Sequence, residues 1–66
     1  MRTFINDREV CRRLGISRTK LWELERDDAT FPKPIRIGKA SKRRCEEELD
    51  AYMGALLARR DEEVQQ

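Results

Sequence analysis

The sequence predicts a mainly α domain with a small β-hairpin, and three observations carry that prediction. First, Leu14-Gly15-Ile16-Ser17 ends one helix and starts another within a tight turn. Second, Ile35-Arg36-Ile37 alternates apolar and basic residues and is followed by a turn at Gly38-Lys39-Ala40-Ser41 and a short return strand. Third, Leu49, Tyr52, Met53 and Leu56 recur at helical spacing. Together they make a winged helix-turn-helix, with helices at about 7–14, 18–27 and 46–58 and a two-stranded wing at about 35–37 and 42–45.

The lead-in Met1–Ile5 precedes Asn6, a favoured N-cap, and Glu9 stands where its carboxylate can return a bond to the cap. Ile5 before the cap and Val10 at the fourth helical position match a hydrophobic staple. Over Asp7–Leu14 the residues Val10, Cys11 and Leu14 fall on one side, while Arg8 and Arg12 face away. Gly15 suits the left-handed residue that closes a helix, and Ser17 is placed to cap the next one.

The second helix runs from about Arg18 to Arg26 or Asp27. Leu21 and Leu24 define its buried side, with Ile16 as a neighbour. At 100° per residue, Thr19, Glu23 and Arg26 lie opposite, and Arg18 and Trp22 occupy a flank. Beyond Asp27-Asp28-Ala29-Thr30, the prolines Pro32 and Pro34 forbid helical continuation and hold the backbone extended. Phe31 is expected to plug the core. The third helix opens on Glu46, Glu47 and Glu48, whose carboxylates suit the positive end of the helix dipole. Its apolar stripe closes the core, and the polar tail from Arg59 to Gln66 is expected to fray or be disordered.

Sixty-six residues make one domain, expected to span 1–58 ahead of the tail. A chain this short buries only about 60% of its unfolded surface, which leaves no room for an enzyme-sized pocket and its supporting shell. There is no histidine, and the two cysteines, Cys11 and Cys45, are far apart. The usual zinc donors therefore do not reach four, no catalytic set is recognisable, and no cofactor is expected. The thiols read as small buried residues in a reducing compartment. A thiol or metal sensor would need both of them close together and accessible. No apolar run approaches membrane-spanning length, the N-terminal residues lack a secretion-signal layout, and a cytoplasmic location is expected.

The net charge of +2 conceals a segregation. Residues 31–44 hold six cations (Lys33, Arg36, Lys39, Lys42, Arg43 and Arg44) and no acid, whereas residues 45–66 hold seven acids against Arg59 and Arg60. A basic strip on a wing points to an anionic partner, and beside a helix-turn-helix that partner is double-stranded DNA. The N-terminal part of the second helix supplies the candidate base readers Arg18, Thr19, Trp22 and Glu23. Arg18 can pair bidentately with guanine, and Glu23 can accept from cytosine. Trp22 has an alternative place, packed over Phe31 or the prolines. The candidate phosphate contacts are Ser17, Lys20, Arg36, Lys39, Ser41, Lys42 and Arg43. The acidic third helix and tail could instead dock a protein partner.

These residues resemble the AlpA family of prophage regulators and the related small excisionases, a branch of MerR-like winged helix-turn-helix domains. The resemblance covers roughly Phe4 to Met53. It is carried by Glu9-Val10-Cys11-Arg12-Arg13-Leu14-Gly15-Ile16-Ser17, by Leu21-Trp22-Glu23-Leu24, by Phe31-Pro32-Lys33-Pro34-Ile35-Arg36-Ile37-Gly38, and by Glu48-Leu49-Asp50-Ala51-Tyr52-Met53. It implies a non-enzymatic factor acting as an excisionase that bends attachment-site DNA, as a transcription regulator of prophage genes, or as both. Integrase and neighbouring copies on DNA are the partners it implies. No long dimerisation helix fits the chain, so a monomer in solution is expected.

One departure concerns the return strand, where family members usually carry an aromatic residue just before the last helix. Arg44 and Cys45 stand there instead. Either Cys45 fills the pocket, or the strand is shifted by one residue, exchanging which of Arg43 and Arg44 faces outward. For the second helix, Ser17→Ala should lower stability by about 1 kcal/mol through loss of the cap. An unchanged melting temperature would mean that this helix begins elsewhere.

Overall fold

A computed structural model of the chain describes residues 2–64. The elements run β1 (Phe4–Ile5), α1 (Asp7–Leu14), α2 (Arg18–Asp27), β2 (Ile35–Ile37), β3 (Ser41–Cys45) and α3 (Glu46–Val64). The three strands form one antiparallel sheet in the order β1-β3-β2, so the return strand is central. The expected two-stranded wing forms from β2 and β3, and the lead-in adds a third strand outside it, pairing Phe4 with Cys45 and Ile5 with Arg44. Without it, β3 would expose an unpaired edge beside the core. Glu46 N–H donates to Thr3 O at 2.7 Å, which extends this seam to the start of α3.

Local signals set the helix-turn-helix. Asn6 caps α1, accepting from Glu9 N–H at 2.9 Å. The return half of the expected capping box does not form. Glu9 turns instead to Arg12 and Arg13, whose guanidiniums donate to its carboxylate and hold its pKa down to about 2. Gly15 takes the left-handed conformation, φ 67° and ψ 38°. Its N–H reaches Arg12 O while Ile16 N–H reaches Cys11 O, the paired bonds of a Schellman turn. Ser17 then caps α2, accepting from Lys20 N–H at 3.2 Å.

The core gathers Ile5, Val10, Leu21, Phe31, Leu49 and Tyr52, with Cys11, Leu14, Ile16, Leu24 and Met53 packed around it. Ile5 and Val10 both being buried completes the staple at the entry to α1. Phe31 plugs the core as expected and meets Tyr52 edge-on, ring centroids 5.0 Å apart. The loop carrying Phe31 is organised by Asp28, which accepts from Thr30 N–H at 2.9 Å, from Thr30 Oγ1 at 2.6 Å and from Tyr52 Oη at 2.8 Å. These donors hold the Asp28 carboxyl below its usual range, while burial and the Asp28 bond raise the Tyr52 phenol.

One further expectation is revised. α3 continues to Val64, six residues past Ala58, through the stretch expected to fray; residues 65 and 66 lie outside the described residues. From Ala55 to Glu63 neither glycine nor proline interrupts a run rich in strong helix formers, so propensity carries the helix past its last core contact. The isoleucines of β2 are about half exposed, Ile35 at 45% and Ile37 at 49%. Pairing sets Ile35 opposite Arg43 and Ile37 opposite Ser41, on the side of the sheet away from buried Ile5 and Arg44.

Tyr52→Phe keeps the ring contact with Phe31 but removes the bond to Asp28. It should destabilise the fold by about 1 kcal/mol. Thermal unfolding of the two forms measures the difference, and equal midpoints would show that water replaces the bond without loss.

Candidate nucleic-acid interface

Alternation along β3 separates its side chains into two sets. Lys42 and Arg44 point toward the helices, and Ser41, Arg43 and Cys45 point the other way. Arg44 has no exposed side-chain surface. Its Nη1 binds Asp7 at the start of α1, its Nη2 meets Glu25 on α2, and its Nε donates to Pro32 O at 3.1 Å. The guanidinium lies over the Phe31 ring, 5.2 Å from the centroid. Both alternatives for the return strand are thereby resolved. Arg44 takes the inward core position, Cys45 is buried on the opposite side and donates to Glu47, and Arg43 is the outward cation.

This network fixes α2 against the wing. Lys42 Nζ lies 3.5 Å from Glu25 Oε1 and 3.8 Å from Asp7 Oδ2, sharing both carboxylates with Arg44. Glu25 stands at the i+7 position from Arg18 and i+3 from Trp22, so all three occupy one flank of α2. The flank that carries two candidate base readers therefore adjoins the wing strand.

Arg18 and Thr19 are exposed, and Trp22 is 65% exposed. Glu23 is engaged with Lys20 at 3.6 Å, an exposed pair on the outer surface of α2. Ser17 is exposed, and its hydroxyl proton is still available to a phosphate while the oxygen caps the helix. No acid occupies the first turn of α2, where Arg18 and Lys20 instead add positive charge to the positive end of the dipole. The wing divides. Arg36, paired with Lys42, lies on the α2 side and is exposed; Lys39 is exposed in the turn after Gly38, whose φ of 74° is left-handed. Ser41 and Arg43 are half-buried on the other side, and Arg43 Nη1 donates to Lys42 O at 2.9 Å.

Sequence reasoning missed Asp7, Glu25 and Arg44 as the set that orients the interface. The available signal was an arginine near the end of the return strand, two residues before the acidic first turn of the third helix begins at Glu46. Cys11 and Cys45 are both free thiols. No helix among the described residues is long and apolar enough to cross a membrane.

A capped pair of helices across a left-handed glycine turn, braced by a cationic antiparallel hairpin, defines a winged helix-turn-helix of the DNA-binding, regulatory class. Residues 3–55 match the family described as Prophage CP4-57 regulatory protein (AlpA), and the chain belongs to that family of prophage regulators. No curated protein and no solved structure matches the chain.

Glu25→Ala should leave the buried Arg44 guanidinium short of one carboxylate and cost about 3 kcal/mol. Arg44→Met, which removes the buried charge and keeps much of the volume, should cost less. Denaturant unfolding of both variants provides the comparison, and a larger loss for Arg44→Met would reverse the assignment of the penalty.

Proposed function

We propose that this chain binds double-stranded DNA sequence-specifically, acting as an excisionase that bends attachment-site DNA, as a regulator of prophage transcription, or as both. The observation that carries the reading is the free flank of α2, with Arg18 and Trp22 exposed beside a cationic wing held to the same helix by Glu25. In this reading α2 enters the major groove, where Arg18, Thr19, Trp22 and Glu23 meet base edges. Ser17, Lys20, Arg36, Lys39 and Lys42 grip phosphates, with Ser41 and Arg43 reaching them from the far side of the wing. Lys42 exchanges its carboxylate partners for a phosphate. The protein is non-catalytic, works in the cytoplasm without a cofactor, is a monomer when free, and meets integrase and further copies of itself on DNA.

A second reading is a protein-interaction module. What favours it is the continuation of α3 to Val64, which displays Asp61, Glu62 and Glu63 beyond the core.

Binding to duplex DNA across a salt series separates the two. If about six phosphates are neutralised, log affinity falls against log salt with a slope of about −5, and a pure interaction module gives no binding at all. Arg18→Ala should relax sequence preference, whereas Lys39→Ala should weaken binding to every sequence and flatten the slope by about one. Uniform loss on all sequences for Arg18→Ala would remove it from the base readers.

A further inference from the structure

Trp22 is the most exposed large apolar side chain among the described residues, 65% against 54% for the next, Leu57. It takes no part in the ring contacts of the core, Phe31 with Tyr52 and Arg44 with Phe31. A single exposed ring is ordinary on a protein surface, so exposure alone assigns it nothing. Its place on α2 is what carries information. At 100° per residue, Arg18 and Arg26 stand about 40° to either side of Trp22, and Thr19 about 60° away. Arg18, Thr19 and Arg26 are exposed, whereas Leu21 and Leu24 turn into the core assembly. Trp22 is therefore an apolar centre in the polar, outward arc of the helix. Glu25, three residues on, is held by Lys42 and Arg44, so the same clamp fixes the ring relative to the wing.

On a helix lying in the major groove, this arc meets the base edges, most of whose groups form hydrogen bonds. Indole brings a broad apolar face and one polar group, the Nε1–H, which can only donate. Cytosine presents a competing donor there, and adenine and guanine present acceptors without an apolar group. Thymine alone combines an acceptor, O4, with an apolar group, the C5-methyl. Both halves of the indole are matched by that base and by no other.

We propose that Trp22 is a specificity-determining residue that selects a thymine in the bound DNA, its ring covering the C5-methyl. This base assignment rests on the DNA-binding reading above and names what one contact of that reading recognises. Four residues of helix rise about 6 Å and one base step is about 3.4 Å, so the thymine falls within about two base pairs of the guanine paired with Arg18. The ring takes one apolar carbon out of water, and removing that carbon should weaken binding about fourfold. Because the contact neutralises no phosphate, its contribution is the same at low and high salt, unlike that of Lys39.

The test uses the whole chain, with duplexes enriched from a random-sequence pool by binding to the protein as the probe. Each thymine of an enriched duplex is replaced in turn by deoxyuridine, which keeps O4 and removes only the methyl. One replacement should weaken binding of the parent about fourfold, equally at low and high salt. Trp22→Ala should bind the thymine and deoxyuridine duplexes alike, while Trp22→Phe, which keeps an aromatic face, should retain part of the difference. Both variants should still lose affinity when the guanine read by Arg18 is replaced by 7-deazaguanine, which shows them folded and docked as the parent is. Indifference of the parent to every deoxyuridine, or an undiminished penalty in Trp22→Ala, would overturn the proposal and leave the DNA-binding reading standing. Absence of binding to any duplex in the pool would overturn both.

Discussion

A single guanidinium holds α1, α2 and the wing together. Arg44 is wholly buried, and its ligands come from the start of α1, the middle of α2 and the loop before β2. Desolvating a cation costs several kcal/mol, and that cost is offset only when carboxylates and a carbonyl are in place together. The geometry of α2 is therefore tied to that of the wing. If α2 rolled away, Glu25 would leave Arg44; if the hairpin slipped, Arg44 would leave the pocket. An apolar residue in the same position would pack against Phe31 without dictating where the acids stand.

The charge segregation of the chain takes a different meaning in this light. Of the six cations in residues 31–44, Arg44 is internal and Lys42 is shared with the same acids, so the strip offers fewer free charges than its composition suggests. Lys33, Arg36 and Lys39 remain exposed. The wing combines a structural clamp near its base with exposed cations toward its tip, and a substitution at either end is expected to produce a different defect.

How much could be read beforehand followed how local each signal is. The bounds of α1 and α2, the Asn6 and Ser17 caps and the Gly15 turn depend on neighbours within four residues, and all were legible. β1 was not, since two residues of strand carry no period and owe their conformation to a partner some forty positions away. The same is true of β2: alternation showed that Ile35 and Ile37 share a side, but only pairing with β3 decides which side that is. Arg44 read as one more cation in a basic run, because nothing adjacent to it in sequence announces that Asp7 and Glu25 converge there. In the candidate site, exposure of the α2 residues followed from helical phase, whereas the division of the wing did not.

The placement of β1 also governs how the molecule can be made. The chain's opening residues pair with β3, yet β3 is translated about forty residues later. At roughly 5–20 residues per second, Phe4 and Ile5 wait on the order of two to eight seconds for their partner to exist. Throughout that interval Ile5 has no strand to rest on and Arg44 has not been made. The early helices can flicker on their caps, but the fold cannot close until β3 has been made, so assembly of this small domain waits on its third strand.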